Sequence, residues 1–141
     1  MTWYYNDAEV TEAPQEYEAF VYEITNLKNN KKYLGKKKLW KTVTKPPLKG
    51  QKRKRKSKVE SDWMFYYGSS ENVKMDLLES GPENFKREIL IWCKTPAEAS
   101  YHEARLQFER NVLIDDNYYN GIINCRINRS HIRKALGLKN S

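Results

Sequence analysis

The chain has 141 residues, of which 39% are hydrophobic and 13% aromatic, so it can bury the core of one compact domain and is not wholly disordered. No apolar run approaches the ~20 residues of a membrane-spanning helix, and two cysteines, Cys93 and Cys125, are too few for a disulfide framework or a zinc site. Met1–Asp7 lacks the basic start and apolar stretch of a secretion signal, so we expect a cytoplasmic protein without a membrane partner.

The formal net charge of +8 is concentrated in one third of the chain. Between Ile24 and Val59 there are fifteen Lys or Arg residues and no Asp or Glu, whereas the rest holds eleven basic and eighteen acidic residues. A polyanion would be attracted to that one region. The pattern therefore favours a nucleic-acid partner over a solvated basic loop that serves only solubility.

The first half of the chain predicts an arm, a hairpin and an insertion. Residues 1–15 are polar and acidic with scattered aromatics, which is typical of an N-terminal arm. Strands at 18–24 and 31–37 enclose an asparagine-rich turn and predict a β-hairpin. Residues 42–58 contain a Pro-Pro pair and a nearly all-cationic run, so we predict a mobile basic insertion without sheet pairing that folds only on a phosphate backbone.

Helix signals dominate the second half. Ser70 is a candidate N-cap for a short helix that stops at Gly81, and residues 85–92 predict a third, largely buried strand. Thr95 and Glu98 form a capping box around a helix that runs to about Asn111. We expect that helix to be buried on two sides, one formed by Ala97, Tyr101, Ala104, Phe108 and Val112 and the other by Ala99 and Leu106.

These elements predict an α/β (α+β) domain over residues 16–125, with a small three-stranded, mainly antiparallel sheet flanked by helices. A basic tail, residues 126–141, follows it and contains a short helix at 130–136.

Two tyrosine motifs stand on the predicted hairpin. Phe20-Val21-Tyr22 and Tyr33-Leu34-Gly35, separated by ten residues, resemble the paired motif of the GIY-YIG nuclease superfamily. The resemblance continues through a helix carrying Glu103 and a late Asn120, and it covers about residues 20–121. The run at 66–70 is similar to small endonucleases of large tailed phages, the Seg-type group, and a phage origin would imply the host cytoplasm.

The resemblance implies a DNA endonuclease that hydrolyses phosphodiester bonds with Mg²⁺ or another divalent cation such as Mn²⁺. Glu103 would bind the metal. By helix position alone, a surface glutamate paired with Arg110 or Lys94 is the alternative. Tyr22 and Tyr33 would orient or deprotonate the attacking water and contact a phosphate oxygen, with nearby lysines favouring a phenolate.

The remaining implied roles are less specific. Gly35 would let the backbone approach phosphate closely, and Asn120 would either support the hydrogen bonds of the site or occupy a turn. The family motif opens with Gly where Phe20 stands, and the arginine that the family carries after its second tyrosine is not found. The cations proposed in its place are Lys37, Lys58, Arg53 and Arg55, with Lys58 favoured.

Further basic residues are expected to bind the backbone of double-stranded DNA, namely Lys36, Lys38, Lys52, Arg53, Lys54, Arg55 and Lys56, joined by Arg126, Arg129, Arg133 and Lys134 of the tail. No module for reading the major groove is evident, so sequence preference should be short or loose. A single site cuts one strand at a time, so double-strand cleavage would require a homodimer or two visits.

Two alternatives stay open. A protein that has kept this scaffold but lost turnover would bind nucleic acid only, and the missing arginine supports it. A basic RNA-associated protein would stack bases on Trp40, Trp63 and Tyr66.

Overall fold

A computed structural model describes residues 2–139. Its strands are β1 (Trp3–Tyr5), β2 (Ala8–Val10), β3 (Ala19–Asn26), β4 (Lys32–Lys38), β5 (Trp40–Lys45), β6 (Arg55–Glu60) and β7 (Phe85–Cys93). Its α-helices are α1 (Glu71–Ser80), α2 (Pro96–Glu109) and α3 (Arg129–Ala135). None of the helices within residues 2–139 is long and apolar enough to cross a membrane.

The main sheet has five strands in the order β2-β1-β7-β3-β4. Strand β3 is buried along its whole length and pairs antiparallel with both neighbours, β4 and β7. Strand β1 pairs parallel with β7 and antiparallel with β2. The hairpin predicted from the strands at 18–24 and 31–37 is therefore present, and its second strand forms one edge of the sheet.

The predicted three-stranded sheet is wrong, because residues 1–15, predicted as an arm, contribute β1 and β2. Asn6 and Asp7 both have positive φ, which is the geometry of a two-residue hairpin turn. The side chain of Trp3 is fully buried, and its indole N–H donates to the carbonyl oxygen of Trp63 at 2.7 Å. Burial of this one large aromatic side chain keeps the two short strands on the sheet.

Each face of the sheet has its own core. On one face, Trp3, Phe20, Tyr22 and Trp63 pack with residues that include Val73 of α1. On the other face, α2 covers β3 and β4 through a cluster of Ala19, Val21, Leu34, Cys93, Ala99 and Leu106. The expected two-sided burial of α2 is wrong, since Tyr101 is 39% and Phe108 60% exposed.

The helix ends follow the sequence. The Ser70 side chain accepts a hydrogen bond from the amide of Val73, and Gly81 ends α1 with a φ of 82°. The Thr95 side chain accepts from the amide of Glu98 at 3.1 Å at the start of α2. The predicted caps at Ser70 and Thr95 and the stop at Gly81 are confirmed, while the return bond of the capping box from the Glu98 side chain stays a prediction.

Strands β5 and β6 form a separate two-stranded sheet, with Thr42 opposite Lys58 and Lys45 opposite Arg55. We call residues 40–60 the basic ribbon. The prediction that residues 42–58 would avoid sheet pairing is wrong, because the Pro-Pro pair lies in the loop between the strands. The Thr-Val-Thr run before it has the residue types that favour strands.

Candidate active site

The two motif tyrosines and Gly35 lie on one face of the β3–β4 hairpin. Tyr22 is opposite Gly35 in the register, and the ring centroids of Tyr22 and Tyr33 are 6.3 Å apart. A Cβ atom on Gly35 would lie 2.6 Å from the hydroxyl oxygen of Tyr22. The room that glycine leaves at this position is therefore occupied by the phenol of Tyr22, which is itself buried.

The segment after the 3₁₀ turn at Trp63–Phe65 closes around these rings. The Tyr33 hydroxyl and the Ser69 hydroxyl are hydrogen-bonded at 3.0 Å. Gly68 has a φ of 89°, and a Cβ atom there would lie 3.2 Å from the Tyr33 ring. Tyr66 packs edge-on against Tyr22, with ring centroids 5.9 Å apart. Three phenols therefore form one cluster.

A cation lies beside this cluster. The ammonium nitrogen of Lys37 is 4.2 Å from the centroid of the Tyr66 ring and 2.6 Å from a carboxylate oxygen of Asp62. The hydrogen bond and charge of Lys37 lower the pKa of Asp62. Of the cations predicted to replace the family arginine, Lys37 is the one that contacts the tyrosine cluster.

Arg87 of β7 fixes the backbone that carries Tyr66. Its guanidinium donates to the carbonyl oxygens of Met64 at 3.0 Å and Tyr66 at 2.9 Å, and it lies over the rings of Trp3 and Tyr67. The side chain is buried, and burial lowers its pKa. Arg87 is a positioning residue that the sequence did not reveal, because its partners are about twenty or more residues away.

Glu103 reaches the same sheet edge from the opposite face. It is half-buried on the side of α2 that also presents Ala99 and Leu106, as the sequence predicted. Burial raises the pKa of Glu103, while the charge and the backbone of Lys36 lower it. The charge of Glu103 in turn contributes to the raised pKa values of Tyr22 and Tyr33. A carboxylate and two phenols therefore lie within electrostatic reach at the edge of β4.

Neither alternative partner of Glu103 forms an ion pair with it among residues 2–139. Arg110 forms an ion pair with the buried carboxylate of Glu23. No ion pair within residues 2–139 joins Lys94 to Glu103. His102, its neighbour, contacts Arg105 through a ring nitrogen, and burial lowers the pKa of this histidine.

Asn120 holds the backbone between the second tyrosine and Gly35. Its side-chain oxygen accepts from the amide of Leu34 at 3.0 Å, and its side-chain nitrogen donates to the Leu34 carbonyl oxygen at 2.8 Å. The side-chain nitrogen of Gln107 donates to the same carbonyl oxygen at 3.0 Å. Asn120 therefore sets the position of β4 rather than lying free in a turn.

The phenols differ from expectation in their electrostatics. Lysines were expected to favour a phenolate, but burial raises the pKa of Tyr22 well above its ordinary value. Burial also raises the pKa of Tyr33, which the hydrogen bond from Ser69 only partly offsets. Both phenols are consequently protonated at neutral pH and can donate a hydrogen bond.

The other predicted cations lie away from the tyrosines. Lys58 pairs with Glu18 and lies over the ring of Trp40 in the basic ribbon. Lys36 donates to the Ser100 hydroxyl at 2.5 Å, whereas Lys38 is exposed. The remaining predicted DNA-binding residues, Lys52, Arg53, Lys54, Arg55 and Lys56, are exposed on the ribbon. Trp63 cannot stack on a base as the RNA alternative required, because it is fully buried.

The donor set for a metal is small. Within residues 2–139 there is no group of three or more His, Cys, Asp or Glu side chains that could hold a metal ion. Mg²⁺ is commonly bound by one or two carboxylates, several waters and substrate phosphates. Glu103 alone therefore fits a cation that is shared with a nucleic-acid phosphate, and it does not fit a cation caged by protein ligands.

Residues 3–123 match the protein-family model described as "Putative endonuclease segE, GIY-YIG domain". The chain belongs to this GIY-YIG family. The match to the SegE family begins at β1 and ends before α3, so the basic ribbon lies inside the GIY-YIG domain. Membership suggests a nuclease acting on DNA. No curated protein and no solved structure matches the chain.

Proposed function

We propose that this protein is a metal-dependent endonuclease that hydrolyses phosphodiester bonds in double-stranded DNA. The observation that supports it best is the pairing of the two motif tyrosines beside Gly35, with ring centroids 6.3 Å apart, while the charge of Glu103 on α2 contributes to the raised pKa of both phenols. An open cleft of about 270 Å³ lies beside Tyr33 and is also lined by Ser69 and Asn120, whereas Tyr22 and Glu103 are not part of its lining. A phosphate entering that cleft would meet Tyr33 before the buried Tyr22.

The residues of the site would divide the work. Glu103 would hold Mg²⁺ or Mn²⁺, which when bound supplies charge neutralisation at the phosphate and lowers the pKa of water. Tyr33, protonated and next to the cleft, would donate a hydrogen bond to a phosphate oxygen or orient the attacking water. Tyr22 would support Tyr33 from within the core. Lys37 would add a positive charge without the bidentate geometry of arginine.

Hydrolysis requires a water oxygen to bond to phosphorus while the bond to the leaving oxygen breaks and that oxygen gains a proton. Asn120 would contribute indirectly, since it fixes the strand that carries Tyr33 and Gly35. Catalytic geometry tolerates displacements of well under 1 Å, so a positioning residue in the core affects the rate.

Affinity for DNA would come from exposed lysines and arginines of β4 and the basic ribbon. Contacts of this kind go to phosphates, so binding should weaken steeply with salt. The location of the protein in a cytoplasm and its assembly as a homodimer stay predictions from the sequence.

The decisive experiment measures nicking and linearisation of supercoiled plasmid with and without Mg²⁺. Glu103→Gln is compared with Glu109→Gln, a control on the same helix whose carboxylate is exposed and paired with Arg105. We expect Mg²⁺-dependent cutting that Glu103→Gln abolishes and Glu109→Gln retains. Salt-sensitive plasmid binding without any cutting by the native chain would overturn the proposal and favour a scaffold that only binds.

A further inference from the structure

Hydrogen bonds and an ion pair join the two chain segments at the base of the basic ribbon, and each segment leads to residues of the site. The amide of Ser61 donates to the Leu39 carbonyl oxygen at 2.8 Å, and its hydroxyl donates to the Lys38 carbonyl oxygen at 2.5 Å. The ion pair of Lys37 with Asp62 joins the same two segments. The ribbon therefore leaves the domain in a defined direction directly beside Lys37 and the Tyr66 cluster.

The body of the ribbon is cationic and lacks a core of its own. All nine of its basic residues are exposed, namely Lys41, Lys45, Lys49, Lys52, Arg53, Lys54, Arg55, Lys56 and Lys58. Within residues 2–139, only the pair of Lys58 with Glu18 neutralises one of them by an ion pair. An isolated two-stranded hairpin is marginally stable in water, so this one is suited to a partner that supplies negative charge.

Cations project from both faces of the ribbon. Cross-strand pairs share a face, so Lys56 and Lys58 lie on one side, and Lys41, Lys45 and Arg55 lie on the other. A surface built to lie flat on one phosphate strand would need charge on one side only. Charge on both sides matches a partner with two phosphate walls.

We propose that the ribbon enters the major groove of duplex DNA beside the phosphate held at the active site. The major groove is about 12 Å wide and admits a two-stranded ribbon, whereas the minor groove, about 6 Å wide, does not. Six residues of strand extend roughly 20 Å, which corresponds to about six base pairs at 3.4 Å each. This inference rests on the proposed function for the location of the cut, but its binding mode can be measured without cleavage.

The ribbon also bears on sequence preference, which was expected to be short or loose because the sequence showed no module that reads the major groove. The structure provides one element whose width suits that groove, namely the ribbon. Because the ribbon leaves the domain in one direction, its contacts should lie on one side of the cut phosphate. The footprint should be asymmetric and extend about six base pairs, a little over half a helical turn, from the cut.

The test is methylation interference with the full chain carrying Glu103→Gln. The probe is a duplex containing the strongest plasmid cut site of the native protein or, if the native protein does not cut, random duplexes selected for binding. Dimethyl sulfate modifies guanine N7 in the major groove and adenine N3 in the minor groove. We expect bound DNA to be depleted of N7-methylguanine in one cluster within about six base pairs, on one side of the cut.

Two charge-matched triple variants provide the comparison. Lys52→Gln/Arg53→Gln/Lys54→Gln removes three cations from the ribbon loop, while Lys28→Gln/Lys74→Gln/Lys94→Gln removes three exposed cations elsewhere. The ribbon variant should lose the guanine interference and reduce the slope of log affinity against log salt by about 2.7, at ~0.9 per phosphate contact. The control should keep the interference and most of the slope.

Contrary outcomes are equally clear. Interference confined to adenine N3, binding without guanine interference, an unaltered pattern in the ribbon variant, or a preference for RNA or single strands would each overturn the inference. Guanine interference in a native protein that does not cut plasmid would keep the inference and refute the nuclease. Mg²⁺-dependent cutting without guanine interference would refute the inference and keep the nuclease.

Discussion

Replacing Asn120 with alanine removes both hydrogen bonds between its side chain and the backbone of Leu34. The carbonyl oxygen of Leu34 keeps a donor, since Gln107 also bonds to it at 3.0 Å. The Leu34 amide keeps none of its side-chain acceptors, and Asn120 is only 8% exposed, so water reaches the site poorly. The substitution therefore leaves one buried donor unsatisfied.

The expected loss of folding free energy follows from the lost hydrogen bonds and the unsatisfied amide of Leu34. A typical hydrogen bond contributes about 1 kcal/mol net, and an unsatisfied buried donor costs roughly 1–3 kcal/mol, so Asn120→Ala should destabilise the fold by about 3 kcal/mol. Gln107→Leu removes a hydrogen bond whose acceptor Asn120 still satisfies. It also removes the Gln107 Oε1 atom, which is buried and has no hydrogen-bond partner among residues 2–139. These effects offset each other, so its cost should stay under about 1 kcal/mol.

Equilibrium urea unfolding measures both costs. With a slope of about 2 kcal/mol per molar, the midpoint should fall by about 1.5 M for Asn120→Ala and by less than about 0.5 M for Gln107→Leu. Equal shifts for the two variants, at equal slopes, would refute the reasoning that the unsatisfied amide of Leu34 dominates.

Three further results are expected. Gly35→Ala should cost about 1–3 kcal/mol, because its Cβ atom would meet the Tyr22 hydroxyl. In a double-mutant cycle measured by thermal unfolding, Gly35→Ala should cost less stability when Tyr22 is replaced by Phe. Stability losses that simply add for the two substitutions would contradict the clash. Tyr66→Phe should lower the pKa of Tyr22, which burial raises most and Tyr66 raises further. A tyrosinate absorbance titration in which the most basic phenol is unchanged would argue against that coupling. Burial raises the pKa of Glu103, so in metal-free protein its stabilising contribution is complete below the unfolded pKa and is lost as pH rises through the folded pKa. Glu103→Gln should therefore raise the melting temperature near neutral pH but not at acidic pH, and a shift of equal size at both would refute it.

Short sequence patterns predicted the helix caps, the hairpin and the face of α2 that carries Glu103. Ser70 and Thr95 each cap a helix through an amide three residues ahead, and two strand-like runs around an asparagine-rich turn predicted the hairpin. The placement of Glu103 on the packed side of its helix followed from the spacing to Ala99. Each of these inferences depends on residues that are close together in the sequence.

The features that the sequence did not predict depend on distant partners. Trp3 belongs to the sheet because it packs on Phe20 and bonds to Trp63, sixty residues away. Arg87 positions Tyr66 through two carbonyl oxygens that no spacing rule connects to it. The basic ribbon was predicted as a loop because its prolines dominated the local signal, although they occupy only the connection between the strands.

The outer edge of β4 has a consequence for handling the protein in solution. Unpaired backbone groups on an edge strand are a template for pairing with another chain. Here the segment that contains Asn117 and Tyr119 bonds to the backbone of Lys32, and Asn120 covers that of Leu34. Loss of Asn120 would leave the Leu34 amide of this edge without a partner, and the variant should form intermolecular sheet aggregates at high concentration. Residues that assemble the site therefore also cover backbone groups that could pair with another chain.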